Sequence, residues 1–173
     1  MNGDGPYVAV AALCDIVLEE KVERLSCIRF MDKLEVTSTL SRPPTDEEKA
    51  LLPTGMPVVP YPIRGLLSLK SGGFIGKKII RIELVPPSGK PITKREGMQS
   101  FPALFEGGEH GVNLVLDFTL HTQEEGLYYF DVFLDDEVIT RMPLRITFTR
   151  HTPSDSPLPE NSVKVENSEP LTE

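Results

Sequence analysis

The stretch "GLYYFDVFLDDEVITRMPLRITF", Gly126 to Phe148, sets two alternating runs on either side of an acidic tip. Tyr128, Phe130, Val132 and Leu134 hold even positions before the tip, and Val138, Thr140, Met142, Leu144, Ile146 and Phe148 hold them after it. Odd positions carry Asp131, Arg141, Arg145 and Thr147. Side chains of a strand alternate between faces, so the pattern predicts two half-buried strands sharing one inward side. Asp135 to Glu137 then form a hairpin turn, since Asp tolerates the backbone angles a tight turn demands. Pro143 has no N–H to give a ladder. The second strand is therefore expected at an edge, or bulged and changing partner there.

The same period of two recurs outward from this hairpin. In "GVNLVLDFTLHT", Val112, Leu114, Leu116, Phe118 and Leu120 face one way, and Asn113, Asp117, Thr119 and His121 the other. In "KKIIRIELV", Ile80, Ile82 and Leu84 oppose Arg81 and Glu83. "YVAVAALCDIVLEE" and "RLSCIRFMDKLEVTS" read as two further strands, able to pair as a hairpin with the charged "EEKVER" as the turn. A strand is expected around Ile63 to Leu69, and "VPPSGKPI" (Val85 to Ile92) is a turn. One helix is expected: in "PTDEEKALLP", Thr45 as N-cap and Glu48 three residues on make a capping box, and Pro53 ends it after about two turns.

Sixteen prolines, thirteen glycines and no tryptophan in 173 residues fit a loop-rich β protein rather than a helical bundle. The net charge is −8, of which the segment 152–173 carries half, with five acids and one lysine. Neither part offers the basic stripe that a phosphate backbone requires, so nucleic acid is disfavoured as a partner. The segment 152–173, rich in Pro, Ser and Glu, cannot bury enough apolar area to offset its ordering entropy, and is expected to be disordered. Residues 1–151 are expected to form the one folded domain. With no signal-peptide pattern and no apolar run near ~18 residues, the chain is expected to be cytoplasmic and soluble, without membrane partners. Cys14 and Cys27 are two thiols with apolar neighbours, read as buried and free in a reducing compartment.

No recognisable catalytic or metal-binding motif stands out in the chain. "SGGFIGKK" lacks the glycine spacing and the Ser or Thr after lysine that a phosphate loop needs, and reads as a glycine-rich β turn. His110, His121 and His151 are scattered outside metal-ligand spacing and read as solvated. The Asp135–Glu137 triplet has no second acidic loop to complete a calcium site. No nucleophile motif occurs, and Asp15 is expected to pair with Arg29 structurally. Catalytic, cofactor-binding and metal-ligating residues are therefore all assigned as none.

"GLYYF" places a glycine, a tyrosine two residues on and an inward apolar residue two beyond, like the start of strand F in immunoglobulin-like sandwiches. Tyr128 would then be the tyrosine of a corner, its hydroxyl bonded to nearby backbone, with Phe130 where antibody domains place a cysteine. "ALCD", "ELVPPSGK", "GLYYFDV" and "MPLRITF" together make the chain, from Tyr7 to His151, resemble an uncharacterised bacterial family of small all-β domains. It departs from that pattern at the tip Asp136-Glu137, where a glycine is common. The resemblance implies a fold and supplies no activity.

The fold expected is an all-β, immunoglobulin-like antiparallel β-sandwich of about seven strands, with one short helix in a crossing loop and a disordered C-terminal tail. The function expected is that of a non-enzymatic protein-binding or scaffolding module in the bacterial cytoplasm. Its candidate surfaces are the loop Phe105 to Gly111 and the long segment Leu40 to Pro62. Two rivals stand beside it. One is an enzyme with a site assembled from loops; the other is a subunit of a repeated phage-like or secretion-related assembly, joined by strands beside Pro143.

Overall fold

The computed structural model describes residues 5–19, 25–40, 44–45, 47, 56–89, 98–122, 124–151 and 162–165. It is all-β. The strands are β1 (Tyr7–Glu19), β2 (Leu25–Phe30), β3 (Lys33–Thr39), β4 (Val59–Val85), β5 (Met98–Thr122), β6 (Gly126–Leu134), β7 (Glu137–His151) and β8 (Ser162–Val165). No helix is an element of the described residues, and most of the stretch expected to be helical lies outside them.

The terminal hairpin forms as its alternation predicts. β6 pairs antiparallel with β7 from Gly126↔Ile146 to Leu134↔Glu137, and Asp135 turns the chain with φ 55°. Tyr128, Phe130, Val132 and Leu134 are buried, as are Met142, Leu144 and Ile146. Val138 departs from the expectation: a register shift between Val132 and Phe133 sets it opposite Phe133, and it is exposed. Pro143 marks a change of partner. The Arg145 N–H donates to the Asp32 carbonyl at 2.9 Å, and from Arg145 onward β7 also pairs with β3. Residues two apart in a strand direct their backbone groups to the same edge, so the ring nitrogen of Pro143 sits on that edge just before pairing begins.

The Tyr128 hydroxyl donates to the Glu124 carbonyl at 2.9 Å. The tyrosine therefore reaches back over the loop that enters β6, as its spacing from Gly126 suggests. Tyr128→Phe keeps the buried ring and removes this bond. It is expected to lower the unfolding free energy by about 1 kcal/mol in urea titration, and an unchanged value would mean that the bond contributes nothing.

The layers are built around one long hairpin. β4 and β5 run 27 and 25 residues and pair antiparallel from Val59↔Thr122 to Glu83↔Met98. The other edge of β4 takes β1 along residues 64–70 and β6 along 80–85. Between these two halves the hairpin has a glycine waist, with register shifts at Lys70/Gly72 and Gly72/Ile75 and left-handed φ at Gly72 (57°), Gly107 (81°) and Gly108 (61°). Such angles are open to glycine without steric cost. The ribbon folds there, so that Gln99 of one half donates its Nε2 to the Asp117 carbonyl of the other at 2.9 Å. Phe118 of the second half likewise packs on Phe130 of β6, ring centroids 5.2 Å apart. One layer is thus β2-β1-β4-β5 through residues 59–70 and 111–122, and the other is β5-β4-β6-β7-β3-β8 through 75–85 and 98–106. "SGGFIGKK" and "FEGGEHG", expected as a turn and a loop, are the facing sides of this waist inside β4 and β5.

The inward parity changes across the waist. In β4 it passes from Ile63, Leu67 and Leu69 to Ile80, Ile82 and Leu84; in β5 it passes from Ala103 and Phe105 to Leu116 and Leu120. The shift keeps apolar side chains between the layers on both sides of the fold.

β1 and β2 form the expected hairpin, with Ile16↔Ile28 and Val17↔Cys27 in register. The second run does not continue as one strand. Arg29 has φ 54° and the Met31 N–H donates to the Leu13 carbonyl at 2.8 Å, after which β3 starts at Lys33 and pairs parallel with β7, from Lys33↔Arg145 to Thr39↔His151. The sandwich is therefore mixed rather than wholly antiparallel. Part of the segment expected to be disordered, Ser162–Val165, forms β8 and pairs parallel with β3; the rest of 152–173 lies outside the described residues.

Candidate functional site

The two surfaces singled out from sequence fare differently. Phe105–Gly111 is strand rather than loop, and Phe105 points inward, 0% exposed and edge-on to Phe74 with centroids 6.0 Å apart. Of 40–62, residues 41–43, 46 and 48–55 lie outside the described set, and Val59 already belongs to β4.

The most unusual surface is the outer face of the second layer, which alternation alone assigns to solvent. Cross-strand neighbours there are Ile75↔Glu106, Lys77↔Leu104, Ile79↔Pro102 and Arg81↔Ser100. Ile75 is 75% exposed, Leu104 56% and Ile79 52%. Single exposed apolar residues need no explanation, but here they adjoin one another and Pro102 on two neighbouring strands.

Beyond Arg81 the face continues as an array of arginines, carboxylates and rings. Arg81 pairs with Glu83 and stacks on Phe133, 4.1 Å from the ring centroid. Arg141 grips Asp131 with two bonds, Nε to Oδ1 at 2.7 Å and Nη2 to Oδ2 at 2.9 Å, and lies 4.9 Å from the centroid of Tyr129. Asp131, read from its parity as an outward side chain, is buried at 6% exposure beneath this clamp. The bidentate pair holds the Arg141 proton more firmly than usual, first by its hydrogen bond to Asp131 and then by that carboxylate's charge. Guanidinium groups stacked on rings and paired with carboxylates are held in a fixed orientation.

The hairpin tip borders this face. Asp135 accepts from Lys78 Nζ at 2.6 Å and from the Ile79 N–H at 2.9 Å, while its own N–H donates to the Ile79 carbonyl at 2.7 Å. The Lys78 bond, followed by the Ile79 bond, lowers the carboxyl below its ordinary 3.8. A depressed folded value stabilises the fold above pH 3.8, and that stabilisation is lost as pH falls through the lower folded value. Asp135→Asn keeps a residue that tolerates left-handed φ. It is expected to flatten that part of the acid limb when the urea midpoint is followed from about pH 6 to 2. An acid limb identical to wild type would assign the loss to other carboxylates.

The remaining candidates take structural places. Arg29 Nε meets Asp15 Oδ2 at 2.9 Å, the pair expected from sequence. Both cysteines are free; Cys14 is buried, and burial, then the neighbouring Cys27, pushes its thiol up to about 11, which keeps it protonated and unreactive at neutral pH. His110 and His121 are exposed, but His151 is half-buried, and its Nε2 has no hydrogen-bond partner among the described residues. "SGGFIGKK" lies within β4, opposite β5. Among the described residues, no group of three or more His, Cys, Asp or Glu side chains is placed to hold a metal ion, and no helix is long and apolar enough to cross a membrane.

The exposed face escaped the sequence reading because alternation reports which residues face inward and is silent on how apolar the outward set is. A count of outward positions would have found it: Ile75, Ile79 and Leu104 all hold the parity opposite to the buried set of their strand half.

No protein-family model and no curated protein matches the chain. Among solved structures it is similar to part of a β-glucosidase from Listeria innocua. With glucose bound, that structure aligns at a TM-score of 0.41 and 12% identity over 81% of this chain and 16% of its own. Without ligand the values are 0.41 and 12% over 83% and 16%, and with isofagomine 0.37 and 14% over 83% and 17%. The chain thus spans about a sixth of the length of those chains, and a likeness of this size assigns it neither family nor activity.

Proposed function

We propose that the chain is a non-enzymatic protein-binding or scaffolding module of the bacterial cytoplasm, an immunoglobulin-like sandwich that meets its partner through the outer face of the second layer. The observation that carries the reading is the contiguous exposed group Ile75, Ile79, Pro102 and Leu104 beside the stacked Arg81 and Arg141. An apolar centre with aromatic and arginine neighbours is the composition of protein interfaces. The face is the outer side of a sheet, and small molecules bind by preference in concave, convergent sites. Its two arginines are already paired with carboxylates of the chain, which suits a docking surface better than proton transfer. The Tyr128 corner supports the immunoglobulin-like reading, and two free thiols suit a reducing compartment.

The test is affinity capture from the native host with the double variant Ile79→Asp, Leu104→Asp as control. Both side chains are exposed, so the variant is expected to fold as wild type by circular dichroism and to lose the partners that wild type captures. Equal capture by the folded variant would remove this face from the function.

A further inference from the structure

We propose that a second, independent surface, the open edge of β5 from Gly111 to His121, pairs antiparallel with the same edge of a second copy of this chain, on a twofold axis at Val115. Among the described residues β5 pairs with β4 alone, and no other strand of that set lies along its second edge. Exposed edges invite pairing, and proteins that remain monomeric blunt them with proline, bulges or charge. The half 98–106 is guarded in this way: Pro102 removes a donor, and the glycine waist bends the strand just beyond. The half 111–122 carries no proline, no left-handed residue and no lysine or arginine, and it keeps one uninterrupted register with β4 from Lys70↔Gly111 to Val59↔Thr122. The edge strands at the far ends are shorter. β2 has six residues and is bent at Arg29, and β8 has four.

The direction of the free groups follows from Gln99. Its Nε2 donates to the Asp117 carbonyl, which places that carbonyl on the side away from β4. Residues two apart share an edge, so Gly111, Asn113, Val115, Thr119 and His121 present their backbone groups there as well. The Asp117 oxygen keeps a second lone pair for a strand that arrives.

Charge selects the register. A twofold at Val115 sets valine against valine and Asn113 against Asp117 of the second copy. The acid then faces a donor. An axis at Asp117 would set the aspartates against each other, and axes at Leu114 and Leu116 would set Asp117 opposite Gly111 and Val115, neither of which offers a side-chain donor. Like charges directly opposite destabilise a pair. A twofold contact is self-complementary and closes at two copies, which distinguishes it from an open assembly.

Light scattering on the full chain tests this through the residue on the axis. Wild type is expected to have twice the mass of one 19.2 kDa chain. Val115→Lys and Val115→Asp each place like charges on the axis; each is expected to weaken the dimer at least ~10-fold, and an equimolar mixture of the two is expected to restore it. A wild type that stays monomeric at all concentrations, a Val115 variant with undiminished self-association, or folded variants that do not recombine would each overturn the proposal. Should either Val115 variant fail to fold by circular dichroism, Asn113 decides. Asn113→Lys is expected to tighten the dimer and Asn113→Asp to loosen it, and no difference between them overturns the register. Ile79→Asp, Leu104→Asp is expected to leave the dimer mass unchanged, so failure of the face and failure of the edge are read separately.

Discussion

Gly111→Val is expected to lower the unfolding free energy by about 3 kcal/mol, at the severe end for overpacking, and the melting temperature by roughly 6–12 °C. The cause is not conformational freedom. A Cβ at Gly111 would overlap the Leu69 carbonyl oxygen and stand 3.1 Å from the Lys70 Cα, and both are backbone of the paired strand. Backbone held in a ladder cannot swing aside as a side-chain tip can. The two strands would have to part just where the folded hairpin begins to turn. Gly108→Ala is the informative control. Nothing lies within 4 Å of the Cβ it would acquire, so it meets only the strain of φ 61°, about 1–2 kcal/mol. Urea titration of both variants separates the effects. Equal losses would mean that the close approach at Gly111 is relieved cheaply.

Phe105→Ala is expected to cost about 3–5 kcal/mol, because it removes a fully buried ring that packs on Phe74 at the inner side of the waist. Its neighbour Leu104 points the other way, and Leu104→Ala is expected to change stability by no more than about 0.5 kcal/mol. Two adjacent residues with a difference of this size would establish the strand character of "FEGGEHG" in solution. Similar, small losses at both positions would restore the surface-loop reading. The pair also divides the two faces, with Phe105 holding the layers together and Leu104 on the exposed side proposed for binding.

The features read correctly from sequence are those set by neighbours in the chain. The β6–β7 hairpin, the Tyr128 bond to Glu124, the β1–β2 pairing and the Asp15–Arg29 contact all follow from alternation or short spacing. Features that depend on distant partners were not legible in the same way. The parallel match of β3 with β7 joins residues more than a hundred positions apart, and no local pattern announces it. The glycines of "SGGFIG" and "EGGEHG" misled for a physical reason: left-handed angles serve a turn and a folded ribbon equally well. The distinguishing signal was present in the phase of the alternation. Both strands resume it with the opposite parity after the glycines, as one folded hairpin requires and two turns do not. The face proposed for binding was legible only as composition, in the apolar residues left on outward positions, and its arginine clamps required the register of four strands.

The folded hairpin also sets how the domain comes apart. β4 and β5 each serve both layers, so neither layer owns a complete set of strands and neither can melt while the other persists. Slow amide exchange in Leu67 of one layer and Ile82 of the other is therefore expected to report a single opening free energy, a unit of cooperativity as large as the sandwich itself. A sandwich assembled from two separately wound sheets has a seam along which it can part. Here the seam is bridged by continuous main chain, and the waist acts as the hinge pin of the whole domain.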